Sequence, residues 1–109
     1  MEGMDSTRTL IECRPVGGVP LKRNDTTRVI LVGNNVVSFT RMEYSLVLLL
    51  LGESMVEDKV LTAALFGNDE PDKPLLKNLE KHVENTKSKL KPTGLYIRRI
   101  HRYGYSLVR

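Results

Sequence analysis

The 109 residues, 40% apolar and 28% charged, have the balance of one globular domain with room for a single core. The longest unbroken apolar run, Leu46 to Leu51, falls far short of the about 20 residues that a membrane-crossing helix needs. A lone cysteine, Cys13, excludes an internal disulfide and a four-cysteine zinc site, and Met1 to Thr9 carries no apolar signal segment; both favour a reducing, cytoplasmic setting. The net charge of +4 is unevenly spread: residues 1–39 carry +1, residues 40–76 carry −4 and residues 77–109 carry +7. A basic last third beside an acidic middle suits a face turned to a polyanion, although a solvated lysine-rich surface accounts for the charge equally well.

In chain order, residues 1–9 read as a flexible start and 10–109 as one domain. Residues 10–39 predict a small antiparallel sheet of three or four short strands. Leu10 to Arg14 is the first, stopped by Pro15. Val19 to Arg23 follows the Gly17-Gly18 turn, and Arg28 to Val32 follows the Asn24-Asp25 turn. Val36 to Phe39 returns after Gly33-Asn34-Asn35, where glycine and asparagine supply hairpin geometry.

At Thr40 the pattern turns helical, and residues 40–91 predict three helices. Thr40-Arg41-Met42-Glu43 matches a capping box, in which the threonine bonds the third helical amide and the glutamate reaches back. That helix runs to about Leu51, stops at Gly52, and is apolar enough to lie centrally. A second spans about Glu57 to Phe66, with Glu57 and Asp58 in its first turn and Gly67 closing it. An acidic loop, Asn68 to Lys73, leads to Pro74 at the start of the third helix. There Leu76, Leu79, Val83, Thr86 and Leu90 form an apolar stripe at spacings of three and four. Lys77, Asn78, Lys81, His82, Glu84, Asn85 and Ser88 occupy the other face, with Lys87 and Lys89 at its edges. Pro92-Thr93-Gly94 ends the helix. Within residues 95–109, Tyr96 to Ile100 and Tyr105 to Val108 form a closing hairpin. A basic helix followed by an arginine-bearing hairpin is the layout of a winged helix-turn-helix, an α+β fold.

Taken together, these segments resemble the OmpR/PhoB-type DNA-binding effector domain of bacterial response regulators. Val37 to Tyr44 resembles the family's sheet-to-helix junction, L-T-x-x-E-F/Y. Lys59-Val60-Leu61 to Phe66-Gly67 resembles its second helix. Lys77-Asn78-Leu79-Glu80-Lys81-His82-Val83 resembles R-T-V-D-V-H-I, and Thr86 to Leu90 resembles L-R-x-K-L. Tyr96 to Tyr105 resembles the wing signature Y-I-x-T-V-R-G-x-G-Y. The chain departs from these patterns in four places. Arg102 replaces the first wing glycine, Glu84 and Asn85 stand where serine or arginine and then arginine are usual, Thr86 replaces a core leucine, and the connection between the first two helices is shorter. No receiver segment precedes the domain, so the chain is expected to be an excised effector domain or a stand-alone relative.

The resemblance implies sequence-specific binding to double-stranded DNA in transcription regulation, with the third helix in the major groove and the wing in the adjacent minor groove. Cations neutralise phosphates, and side chains carrying donors and acceptors read base edges. Lys77, Lys81 and Lys87 are the expected phosphate contacts, Lys81 also reaching guanine. Asn78 and Asn85 suit adenine, and His82 a phosphate or base. Arg98, Arg99, His101 and Arg102 line the wing, with Arg102 or Tyr103 nearest its tip. Tyr96 and Tyr105 read as packing residues. The resemblance also implies a homodimer on DNA, a contact of loop 67–73 with RNA polymerase through Asp69, Glu70 and Asp72, and a bacterial, nucleoid-associated location. The alternative is a winged-helix module for protein contacts with DNA binding weakened or lost, motivated by Glu84, Asn85 and Arg102. No catalytic, metal or cofactor constellation is evident. His82 and His101 have no partners at ligand spacing, no phosphate-cradling glycine loop occurs, and neither an enzyme nor a cofactor is expected.

Overall fold

Residues 10–109 are described by the computed structural model; the flexible start expected for residues 1–9 lies outside them. Strands β1 (Ile11–Val16), β2 (Val19–Asn24), β3 (Val29–Val32) and β4 (Asn35–Ser38) form one antiparallel sheet in sequence order. Gly17 and Gly18 both have positive φ, the left-handed pair that a tight two-residue hairpin needs. Gly33 begins the next such turn, and Val32 pairs with Asn35, so Asn35 opens β4 instead of lengthening the turn.

Two strand boundaries differ from expectation. β1 does not stop at Pro15 but passes through it to Val16, with a register shift between Cys13 and Val16. It is an edge strand, and at a bulge there the missing N–H of proline removes no ladder bond. β3 starts at Val29 because Arg28 has φ +56°, outside extended geometry. Asn24 shapes the preceding turn: its side-chain oxygen accepts from the amides of Thr26 at 3.0 Å and Thr27 at 3.1 Å.

Helix α1 (Arg41–Gly52) begins with the predicted reciprocal cap. Thr40 Oγ1 accepts from the Glu43 amide at 3.3 Å, and Glu43 Oε1 accepts from the Thr40 amide at 2.9 Å. Leu46 and Leu50 are completely buried, as a central helix requires. The last turn of α1 holds no basic residue. Arg14 of β1 supplies the cation from outside, donating to the carbonyls of Leu51 at 3.1 Å, Glu53 at 3.3 Å and Leu50 at 3.5 Å.

Glu57, expected inside the second helix, instead joins Val56 in a two-residue strand, β5. Helix α2 (Asp58–Phe66) follows, and left-handed Gly67 ends it by donating to the Ala63 carbonyl at 3.0 Å. Asp72 caps α3 (Lys73–Leu90) by accepting from the Leu75 amide at 3.0 Å, and Pro74 is the second residue of the helix. Leu79, Val83, Thr86 and Leu90 are buried as the stripe predicts, while Leu76 is only half-buried. Thr86 is tolerated at a core position because its hydroxyl donates to the His82 carbonyl at 2.7 Å.

A 3-10 turn, Lys91–Thr93, leads to β6 (Tyr96–Ile100) and β7 (Gly104–Val108), which pair with β5 in the order β5-β7-β6. Gly104 is where the wing sheet closes. A Cβ there would lie 1.8 Å from the Val56 carbonyl oxygen. Apolar residues of both sheets and all three helices share one core. The architecture is α+β: a four-stranded sheet, three helices and a winged hairpin. Among the described residues, no helix is long and apolar enough to cross a membrane.

Candidate nucleic-acid interface

An α-helix turns about 100° per residue, so Lys77, Lys81, Asn85 and Ser88 fall within roughly a quarter turn of one another on α3. All four are exposed, as is Asn78 at the edge of that face. Strand β6 runs beside this helix. Lys77 and Glu80 of α3 share a recess with Arg99 and Tyr105 of the hairpin, and further along Lys87 and Ser88 share a second with Leu95 and Tyr96. The helix face and the wing therefore belong to one side of the molecule. Strand β6 adds Arg98, and the wing turn adds His101, Arg102 and Tyr103, all exposed.

Arg102 has φ +53°, the left-handed geometry in which glycine is unstrained. The β-turn is closed by the Tyr103 amide donating to the Ile100 carbonyl at 3.0 Å. The departure from the wing signature thus leaves the turn intact and puts a cation at its apex.

The expected contact residues divide into two groups. Among the described residues, Lys77, Lys81, Arg98, His101 and Arg102 make no side-chain hydrogen bond or ion pair, and the side chains of Asn78, Asn85 and Tyr103 are equally unengaged. The others have internal partners. The His82 ring is half-buried and tilted against Phe66 of α2, with centroids 5.8 Å apart. Lys87 Nζ lies 3.3 Å from Glu84 and 4.9 Å from the centre of the Tyr96 ring. Arg99 makes a two-pronged pair with Asp58, at 2.6 and 3.0 Å, and lies over the Tyr105 ring at 4.7 Å. Its pKa is raised above the ordinary arginine value, chiefly by the hydrogen bond to Asp58. Tyr105 is buried, as a packing residue should be, and burial raises its pKa; Tyr96 is half exposed beneath Lys87.

Lys89 leaves the face altogether. Its Nζ lies 2.5 Å from Glu43 Oε1 at the start of α1. Burial pushes the Glu43 carboxyl up, but hydrogen bonds from Lys89 and Thr40 and the charge of Lys89 outweigh it, so Glu43 titrates below its usual range. In the loop before α3, Asp69 and Glu70 are exposed, while Asp72 is committed to capping. Among the described residues, no three His, Cys, Asp or Glu side chains gather closely enough to hold a metal ion.

The pairs Arg14 with the end of α1, Lys89 with Glu43, and Arg99 with Asp58 escaped the sequence reading. Each joins a charged side chain to a partner far away in the chain, and no periodicity marks such a contact.

No family model matches the chain, and no curated protein does. Solved structures do. The DNA-binding domain of the response regulator AdeR, in complex with an intercistronic region, superposes with a TM-score of 0.65 at 15% identity, over 82% of this chain and 94% of that one. A mutant of RitR superposes with a TM-score of 0.63 at 22% identity, over 80% of this chain; the match spans 40% of the length of RitR. At such identities the likeness establishes the fold alone: this chain shares the winged-helix fold of those two structures.

Proposed function

We propose that this protein binds double-stranded DNA sequence-specifically in transcription regulation, with α3 in the major groove and the wing hairpin in the neighbouring minor groove. The observation that carries the reading is the set of exposed, unpaired cations on α3 (Lys77 and Lys81) and on the hairpin packed beside it (Arg98 and Arg102), in a fold shared with the AdeR DNA-binding domain. An 18-residue helix with its polar face outward has the diameter and length that a major groove admits. An arginine at the apex of a narrow hairpin suits the negative potential of a minor groove. Asn78 and Asn85 offer the paired donor and acceptor that read adenine, and His101 and Tyr103 flank the wing contact. In this reading Lys87, His82 and Arg99 stand at the margins, because each already has a partner within the fold. The protein acts as a binding module, not an enzyme, in the cytoplasm at the nucleoid. It assembles as a homodimer on its site, with the exposed acids of loop 67–73 turned to RNA polymerase.

Anisotropy titrations against a labelled duplex test this. Four phosphate contacts give a slope of about −3.6 for log K against log salt. Lys81→Ala should weaken binding to every duplex and reduce the slope by about one. Asn85→Ala should instead change which sites are enriched in a random-site selection. No duplex binding at low salt refutes the proposal. Measurable binding with no enriched motif favours the protein-contact reading, for which the exposed carboxylates of Glu80 and Glu84 on the same face speak.

A further inference from the structure

We propose that the Asp58–Arg99 pair is a positioning device that sets the wing for DNA binding, Arg99 acting through Asp58 and not by gripping a phosphate. The inference rests on the DNA-binding reading above and refines the role of one wing arginine.

Asp58 is the first residue of α2 and holds the hairpin at two points. Its amide donates to the Tyr103 carbonyl at 2.9 Å, at the wing turn. Its carboxylate takes both terminal nitrogens of Arg99 on β6, at 2.6 and 3.0 Å. A two-pronged contact between planar groups fixes orientation as well as distance. Just before Asp58, Val56 and Glu57 pair with Tyr105 and Gly104, so the anchorage is continuous along β7.

The Arg99 side chain is 46% exposed, but three of its hydrogen bonds are already made within the fold. Besides Asp58 it donates to the Gly104 carbonyl at 3.3 Å and lies over the Tyr105 ring. Trading Asp58 for a phosphate would leave a carboxylate that is only 16% exposed unpaired beside a polyanion. That costs desolvation and repulsion together. Arg98, His101 and Arg102, on the same hairpin, are free to make that contact. Holding their backbone still lowers the ordering cost that binding would otherwise carry.

The test measures affinity for a random-sequence duplex over a salt series for the full chain and for Asp58→Asn, Arg99→Gln, Arg99→Lys and Asp58→Asn/Arg99→Gln. Each single variant should weaken binding about fivefold, the scale of one lost preorganising contact. The double variant should be no weaker than either parent, and the salt slope should stay at the wild-type value. Arg99→Lys should lose as much as Arg99→Gln, because a lysine keeps the charge but not the paired geometry. The proposal is overturned if Arg99→Gln flattens the salt slope by about one while Arg99→Lys retains affinity, or if Asp58→Asn tightens binding. Amide exchange supplies a readout that needs no DNA. The Asp58 and Tyr105 amides should exchange faster in Arg99→Lys, and unchanged exchange would refute the positioning role. Failure of wild-type binding with faster exchange in the variant would sink the DNA-binding reading and leave the device standing.

Discussion

Replacing Gly104 with alanine adds one methyl group where the structure has no room for it. The position does not have the positive φ that would make alanine costly by itself, so the effect is steric. The new Cβ would sit 1.8 Å from the Val56 carbonyl oxygen and 2.8 Å from Glu57 Cα, both backbone atoms that no rotamer change can move. β5 must therefore separate from β7, breaking the pairing of Val56 with Tyr105 and of Glu57 with Gly104, and straining the bond from the Asp58 amide to Tyr103. Two or three backbone hydrogen bonds at about 1 kcal/mol each, with partial exposure of buried Val56, give a loss of about 3–5 kcal/mol. That is a large share of the roughly 5–15 kcal/mol a domain possesses. Urea unfolding followed by circular dichroism measures it. Gly52→Ala is the control, because a Cβ at Gly52 meets nothing within 4 Å and the residue ends a helix. A Gly104→Ala protein within about 0.5 kcal/mol of wild type, the ordinary range for a surface change, would refute the argument.

Glu43 makes stability depend on pH. Its carboxyl is lowered in the folded protein, so its contribution is complete above the unfolded value of about 4.3 and is lost as pH falls through the lower folded value. Glu43→Gln should remove that part of the acid sensitivity in melts taken from pH 6 to pH 3; an unchanged profile would show that the pair with Lys89 is inert. Arg14→Ala should cost about 1 kcal/mol in urea unfolding by uncovering the end of α1, and no change would mean that water serves those carbonyls equally well. Arg102→Gly should leave the fold intact, whereas Arg102→Val should destabilise it by more than about 1 kcal/mol, since a β-branched residue resists left-handed backbone. Equal melting temperatures for the two would argue against a strained apex.

Much of this was readable because the signals are local. The Thr40 and Glu43 cap, the stripe from Leu79 to Leu90 and the closing hairpin each declare themselves within a few residues. What stayed hidden needs three dimensions. Val56 and Glu57 are too short a pair to show alternation, so the sequence does not reveal β5 and places Glu57 in the second helix. Pro15 stopped β1 on paper because its neighbours did not reveal an edge. At the interface, helix spacing puts Lys87 with Lys77 and Lys81 and Lys89 at the edge of the same face, and the resemblance puts Arg99 on the wing; only packing shows that Lys87, Lys89 and Arg99 are held by Glu84, Glu43 and Asp58.

The late position of Gly104 in the chain also bears on the order of assembly. The first sheet closes through neighbouring hairpins, each a short loop to form. Val56 must wait for Tyr105, which arrives only after α2 and α3 have been laid down. Long-range closures of this kind come late on the folding route. Interactions missing from the rate-limiting step govern how fast the native state is left, not how fast it is reached. Damage at the β5–β7 seam should therefore surface chiefly as a shortened native lifetime, with refolding rates close to those of the intact chain.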